Sequence, residues 1–479
     1  MAKMYIGGEL VDAQSGKTME VRNPANGEVV DTIPRGSRGD VDAAVEAAAK
    51  AFPGWASTPP SKRARLLHEA AAKVREAVPE LARLLTLEQG KPLAHATLEA
   101  ARVAENLEYY AGLADKIRGD YVVLDDPAKF GLTIRRPVGV VAAITPWNFP
   151  LTLMANKVCP ALAAGCTVVL KPASTTPLAT QRAIEVINSV GLPAGVLNTV
   201  HGPGSEIGDA LVSHPKVNKV AFTGQTETGK RIMKLAADNV TRVTLELGGS
   251  DPMIVCDDAD IRRATAAAAI GRFFNAGQAC LAVKRVYLFA QIAEEFMAKI
   301  ADRAAKEWKV GDGLQEGVKM GPLHTERQRA EVEAQVADAV KRGARVLAGG
   351  KRPEGPGFDR GWFMEATVLA DVPEDSRMAT EEVFGPALPV FIVSDLDEAI
   401  AKANASVYGL GSSIWTKDLA RARRAAEQIE AGYTWVNDIQ VAYDQLPFGG
   451  VKQSGFGKEH GIEAMDGYLE KKSVVLATG

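Results

Sequence analysis

A chain of 479 residues is too long for one ordinary hydrophobic core, so two or three domains are expected. With 46% hydrophobic and 24% charged residues it has a soluble globular composition, and a net charge of −3 gives no electrostatic reason to expect nucleic acid or anionic membrane as a partner. Residues 1–10 hold no apolar core of signal-peptide length, and apolar runs such as 138–144 and 264–270 are far too short for a bilayer, so a cytoplasmic protein is expected.

The first third of the chain reads as mainly helical. Asp40 is the expected N-cap of an Ala-rich helix over 41–52, stopped by Pro53-Gly54. Helices also fit 61–77 and 94–114. Two β-rich runs, 121–124 and 131–134, flank the turn-rich Asp125-Asp126-Pro127 and predict a projecting hairpin. From 138 to 256 strands and helices alternate. Strands are expected at 139–144, 167–170, 196–200, 219–222 and 243–247. Helices are expected at 151–164, 178–190 and 205–212, and from the Gly224-to-Gly229 turn to about 237. That alternation predicts an α/β fold with a parallel sheet covered on both faces. A second α/β series follows, with helices at 261–274, 294–308 and 326–342 and strands at 285–288, 345–347 and 388–392.

The four cysteines are Cys159, Cys166, Cys256 and Cys280, and none forms a C-x-x-C pair, which fits a reducing compartment. Three of them sit in or beside apolar stretches and read as structural. Cys280 differs, because the polar and small residues Asn275-Ala276-Gly277-Gln278-Ala279 precede it. The six histidines lack metal-site spacing and acidic company, so no metal is expected and they read as surface or internally satisfied. Upstream of Cys280, Glu246 stands in Leu245-Glu246-Leu247-Gly248-Gly249 and Asn148 in Thr145-Pro146-Trp147-Asn148-Phe149-Pro150. A thiol nucleophile, a carboxylate base and an amide donor for an oxyanion are the parts that acyl chemistry at an aldehyde carbon needs.

With these segments, and with Lys171-Pro172-Ala173-Ser174, Phe222-Thr223-Gly224, Glu381-Glu382-Val383-Phe384-Gly385-Pro386 and Pro447-Phe448-Gly449-Gly450, the chain resembles the NAD(P)-dependent, non-phosphorylating aldehyde dehydrogenases nearly end to end. The resemblance implies a Rossmann-like cofactor domain (1–118 and 137–248) and a second α/β catalytic domain (249–443). It also implies a small β oligomerisation element (119–136 and 444–479) in a homodimer or homotetramer. It implies that Cys280 attacks the aldehyde, that Asn148 and the Cys280 backbone N–H stabilise the oxyanion, and that Glu246 activates the water that hydrolyses the thioester.

For the cofactor, NADP or NAD, the resemblance implies contacts from Trp147, Gly224, Gln225 and Gly229. It places Lys171 and Ser174 at the adenosine ribose, Glu382 at the nicotinamide ribose and Phe384 against the nicotinamide ring. No G-x-G-x-x-G loop is present, and Gly224-Gln225-Thr226-Glu227-Thr228-Gly229-Lys230 misses a P-loop because Arg231 replaces the required Ser or Thr. A serine at 174, where many NAD-preferring members carry glutamate, removes a charge that would repel a 2′-phosphate, so NADP is expected to be accepted and even preferred. Phe149, Leu153, Asn156 and Leu281 are expected to line the aldehyde tunnel. A polar Asn156 points to a small hydroxylated aldehyde such as glyceraldehyde or lactaldehyde. The alternatives are a succinate semialdehyde enzyme, with Lys284 or Arg285 meeting the distal carboxylate, a CoA-acylating enzyme, which usually lacks the base at 246, and a non-catalytic scaffold protein.

Overall fold

The computed structural model describes residues 2–477. Its first large sheet has six strands in the order Gly455–Phe456, Arg242–Glu246, Val217–Thr223, Val140–Ile144, Thr167–Lys171 and Leu197–Thr199. Neighbours run parallel except Gly455–Phe456, which lies antiparallel to Arg242–Glu246. Alternation builds the two faces. Val141, Ala143, Val168 and Leu170 pack on the helices Pro60–Gln89, Leu93–Leu113 and Pro150–Ala164, while Val140, Ala142, Val169 and Phe222 pack on Arg38–Ala56 and Thr226–Ala237. The chain winds outward in both directions from Val140–Ile144 and Val217–Thr223, so the crevice for a ligand opens beyond the carboxyl ends of those two strands.

The second sheet has seven strands, in the order Arg345–Ala348, Thr367–Ala370, Ala387–Val393, Val283–Phe289, Asp251–Val255, Gly411–Trp415 and Tyr433–Val436. All neighbours are parallel but the first pair. The chain leaves the first sheet at Glu246 and enters the second at Asp251. Residues that follow strands of the first sheet therefore meet residues that precede strands of the second. Asn148 and Gly224 belong to the former set, Cys280 and Glu382 to the latter. A third sheet is antiparallel, with Lys129–Pro137 between Asp120–Val123 and Leu469–Ala477. Its edge residues Tyr121 and Val123 are exposed. No helix among the described residues is long and apolar enough to cross a membrane.

The expected alternation of strands and helices is present, with local differences. Ser37, not Asp40, caps the first helix; Asp40 is its N3 residue, and its Oδ2 accepts the Ser37 N–H at 2.7 Å and hydroxyl at 2.8 Å. That helix runs on through Pro53 to Ala56, and the next spans Pro60–Gln89 across Pro79. A proline removes one hydrogen bond, but the buried stripe Leu67, Ala70, Val74, Leu81 and Leu85 continues past it and holds the helix. The expected helix at 205–212 opens as a π-helical turn, Gly204–Gly208, before Asp209–Val212.

Candidate active site

Asn148 sits in the turn between the strand Val140–Ile144 and the helix that starts at Pro150. Its side-chain Nδ2 donates to the Gln278 carbonyl at 3.1 Å, which uses one amide proton and leaves the other free. Its own carbonyl accepts from Lys91 Nζ at 2.7 Å and Asn275 Nδ2 at 3.1 Å. Lys91 is ion-paired with Glu99 in the interior, and Glu99 Oε1 accepts the Leu151 N–H at 3.0 Å at the start of the helix. A buried ion pair thus fixes the turn that carries the amide donor.

The Cys280 segment is bent by three successive residues in the left-handed region, Asn275 (φ 51°), Ala276 (φ 53°) and Gly277 (φ 71°). The two non-glycines each cost on the order of 1–2 kcal/mol. Gln278 offsets this by donating to the Asn275 carbonyl at 3.0 Å and accepting the His324 N–H at 2.8 Å. The Cys280 backbone N–H has no protein acceptor among the described residues. Burial pushes the Cys280 thiol up to about 12; Lys284 pulls it down, while Asp251, Glu246 and Glu382 push it further up.

Two cavities converge on Cys280. One, of about 560 Å³, opens at the crevice predicted by the winding of the first sheet and is lined by Trp147, Asn148, Gly224, Gln225, Glu382 and Phe384. The other, of about 350 Å³, is lined by Phe149, Leu153, Asn156 and Leu281 together with Phe274 and Phe448. The nucleophile candidate is therefore reachable from two sides by two different molecules.

The first cavity fits a dinucleotide. The helix Thr226–Ala237 points its N-terminus at it, with Gly224 keeping the approach clear of side chains, an arrangement that suits a pyrophosphate. Glu382 uses Oε1 on the Gly249 N–H at 3.1 Å and on Lys284, and its Oε2 lies against Gly248 with no protein donor. That oxygen is free for a ribose hydroxyl. Lys171, Ser174 and Gly229 do not line this cavity. Lys171 is buried, its amine pushed down to about 8 by burial, and donates to the Pro172 carbonyl; Ser174 Oγ donates to the Gly202 carbonyl at 2.7 Å. Gly229 packs under Leu247, where a Cβ would come within 2.5 Å.

Glu246 is buried, with both carboxylate oxygens unpartnered, and its pKa is raised by burial and by Glu459, against lowering by Lys157 and Lys458. It lines neither cavity and lies against Gly449, where a Cβ would come within 2.6 Å of Oε1. Behind it, Lys157 Nζ donates to Thr223 Oγ1 at 2.6 Å and Glu459 Oε1 at 2.5 Å.

Several residues that border the two cavities carry no local sequence signal. His324 stacks on Trp147 at 4.5 Å in the wall of the larger cavity, with Nε2 at 2.8 Å from the Thr175 hydroxyl. His95 and His460 border the smaller cavity. His324 and His460 are internally hydrogen-bonded, as read from the sequence, whereas His95 Nδ1 is buried without a partner. Asn156 lines the smaller cavity but is tied to the interior. Its Nδ2 donates to Glu459 Oε2 and His460 Nε2, both at 3.1 Å, so its donors are spent inside the protein. Lys284 and Arg285 are committed to Glu382 and to backbone carbonyls, away from the smaller cavity.

The Cys280 thiol lies between two cavities, one of them largely apolar, and the aldehyde dehydrogenase family model matches residues 10–474. The chain belongs to the aldehyde dehydrogenase family. It is 44% identical to phenylacetaldehyde dehydrogenase of Pseudomonas fluorescens, over 99% of this chain and 96% of that one. It is 41% identical to the NADP-dependent succinate-semialdehyde dehydrogenase of Escherichia coli, over 98% and 97%. Betaine aldehyde dehydrogenase of Staphylococcus aureus, solved with NAD+, superposes with a TM-score of 0.97 at 39% identity, covering 100% of this chain and 95% of that one. The chain is an NAD(P)-dependent oxidoreductase of this family.

Proposed function

We propose that the chain oxidises a neutral, largely apolar aldehyde to its carboxylic acid through a thioester on Cys280. The observation that carries this reading is the position of Cys280 in the walls of both cavities. The Cys280 thiolate adds to the aldehyde carbon from the smaller cavity, and the carbonyl oxygen becomes an alkoxide. The free Asn148 amide proton and the Cys280 N–H are the donors for that charge. The nicotinamide cofactor, when bound, supplies the hydride acceptor. Loss of hydride leaves a thioester, and Glu246 takes a proton from the water that cleaves it, releasing the acid and the thiolate. From its raised pKa the Glu246 carboxylate is a stronger base than an exposed one.

The apolar assignment rests on Phe149, Phe274, Leu153 and Leu281 in the cavity wall and on the internal commitment of Asn156. A semialdehyde reading draws on Arg102, which also lines this cavity. Its guanidinium is already shared between Glu105 and Asp444, both at 2.7 Å, which opposes a second carboxylate. The test is kcat/KM for hexanal, phenylacetaldehyde, glyceraldehyde and succinate semialdehyde, with Cys280→Ala as the blank. Hexanal or phenylacetaldehyde is expected to lead. A lead for succinate semialdehyde that Arg102→Met removes would replace the apolar reading, and product appearing as an acyl-CoA when CoA is added would replace hydrolysis.

The larger cavity is the cofactor's side in this reading, with Trp147, Gly224, Gln225, Glu382 and Phe384 as its contacts, and the choice between NADP and NAD is read from kcat/KM with each. The domain division given above is proposed with one refinement: residues 447–460 complete the first sheet and border the site. The exposed antiparallel sheet is proposed as the contact through which copies assemble into a dimer or tetramer, and the site of action as the cytoplasm.

A further inference from the structure

Two buried cations outside every sequence motif tie the nucleophile segment to the loop that faces the cofactor cavity. Lys284 donates its three ammonium protons to the Cys280 carbonyl at 2.8 Å, the Gly249 carbonyl at 2.8 Å and Glu382 Oε1 at 2.6 Å. Arg272 donates from Nη2 to the Gly277 carbonyl at 2.7 Å and the Val383 carbonyl at 3.1 Å. Both side chains are fully buried. Each bridges the same two segments, one around Cys280 and the other around Glu382. They do so across 98 residues of sequence for Lys284 and 111 for Arg272.

The Glu382 carboxylate is divided between two tasks. Oε1 belongs to Lys284 and the Gly249 N–H, while Oε2 faces Gly248 and the larger cavity. A hydroxyl donated to Oε2 therefore lands on the carboxylate that Lys284 holds from behind. We propose that Lys284 is a positioning residue that couples occupation of the cofactor cavity at Glu382 to the placement and reactivity of Cys280, with Arg272 as the second tie. This rests on the reading of Cys280 as nucleophile and of the larger cavity as the cofactor's.

The electrostatics run in the same direction. The charged groups that act on Cys280 are Lys284 and the carboxylates of Asp251, Glu246 and Glu382, so Lys284 is the one that favours the thiolate. A cofactor hydroxyl on Glu382 draws charge away from the ion pair and leaves the ammonium field less compensated at the thiol. Asp251, whose carboxyl burial raises to about 7, opposes the thiolate once it ionises above neutrality, which leaves Lys284 as the group acting in its favour.

The experiment is the rate of Cys280 carbamidomethylation by iodoacetamide, read by mass spectrometry on the apo protein and with saturating NADP+ or NAD+ from neutral to alkaline pH. In the native chain the cofactor is expected to raise the rate about tenfold, the equivalent of one pKa unit. In Lys284→Met the apo rate falls and the cofactor response shrinks to less than about twofold, while cofactor still quenches protein fluorescence. Glu382→Gln, which keeps the side-chain shape, and Arg272→Lys serve if Lys284→Met does not fold; Glu382→Gln is expected to lose the response and Arg272→Lys to keep most of it. A native response retained in folded Lys284→Met, or in Glu382→Gln where Lys284→Met fails, overturns the coupling, as does a native chain indifferent to cofactor. Activity surviving in Cys280→Ala would instead overturn the underlying reading of the site.

Discussion

The two cavities that share Cys280 are built in opposite ways. The side proposed for the cofactor is built largely on chain ends (a turn after one strand, a helix start after another and a loop before a third), with side chains of the helix Glu326–Lys341 completing its wall. The aldehyde side is made of side chains from separate elements, the helices Leu93–Leu113, Pro150–Ala164 and Ile261–Phe273 and the loops around Ile439 and Phe448. One side can be read from short motifs because the geometry lies in the chain path. The other depends on which surfaces pack together, so its chemistry is free to vary without disturbing the machinery next to it.

Substitutions at the shared residue and on either side test this division, in falling order of effect. Cys280→Ala removes the proposed nucleophile and is expected to lower kcat by on the order of 10⁴-fold or more, measured as reduced-cofactor formation. Glu246→Gln is expected to slow turnover by about 10²–10⁴-fold while leaving a first burst of reduced cofactor and a thioester mass on Cys280. Undiminished steady-state turnover in that variant would remove Glu246 from the mechanism. Asn148→Ala should cost about 10²–10³-fold in kcat through the lost oxyanion donor, with cofactor KM little changed.

The sharpest contrast comes from two phenylalanines. Phe274→Ala is expected to lower kcat/KM for apolar aldehydes by about 10–100-fold and leave the cofactor KM alone. Phe384→Ala should raise the cofactor KM and leave the order of aldehydes intact. Crossed effects would mean that the cavities are not separable.

Acid stability gives the smallest effect. His95, His201 and His324 have pKa values pushed down by burial, to about 4, about 3 and about 4, from an ordinary 6.5. Below 6.5 the unfolded chain binds protons that the folded chain refuses. These groups therefore withdraw stability as the pH falls from about 6.5 towards 3. His201→Gln is expected to flatten the fall of Tm with acid by a few degrees. An unchanged slope would show that His201 is protonated in the fold.

The sequence carried the alternation of strands and helices, and the structure brings Asn148 and Cys280 together where the motifs pointed. It misplaced what depends on partners far along the chain. Asn156 looked available for substrate because nothing near it shows that Glu459, 303 residues downstream, and His460 take its amide. Lys91 and Arg272 were invisible for the same reason, and Lys284 was read only as a partner for a distal substrate carboxylate: a buried cation is defined by the carbonyls and carboxylates that fold around it. Lys171 and Ser174 lie in a recognisable motif, yet their side chains turn to the Pro172 and Gly202 carbonyls. A motif fixes where the backbone goes more tightly than where each side chain points.

The strand Gly455–Phe456 lies beside Arg242–Glu246, and Leu469–Ala477 closes the small sheet against Lys129–Pro137. During synthesis the chain therefore emerges with its thiol long before the residues that wall it in. The six-stranded sheet stays one strand short, and Glu246 lacks Gly449 and Glu459, until residues 449–459 have left the ribosome. Domains begin to fold as they appear, at about 5–20 residues per second, so this interval lasts for seconds to tens of seconds.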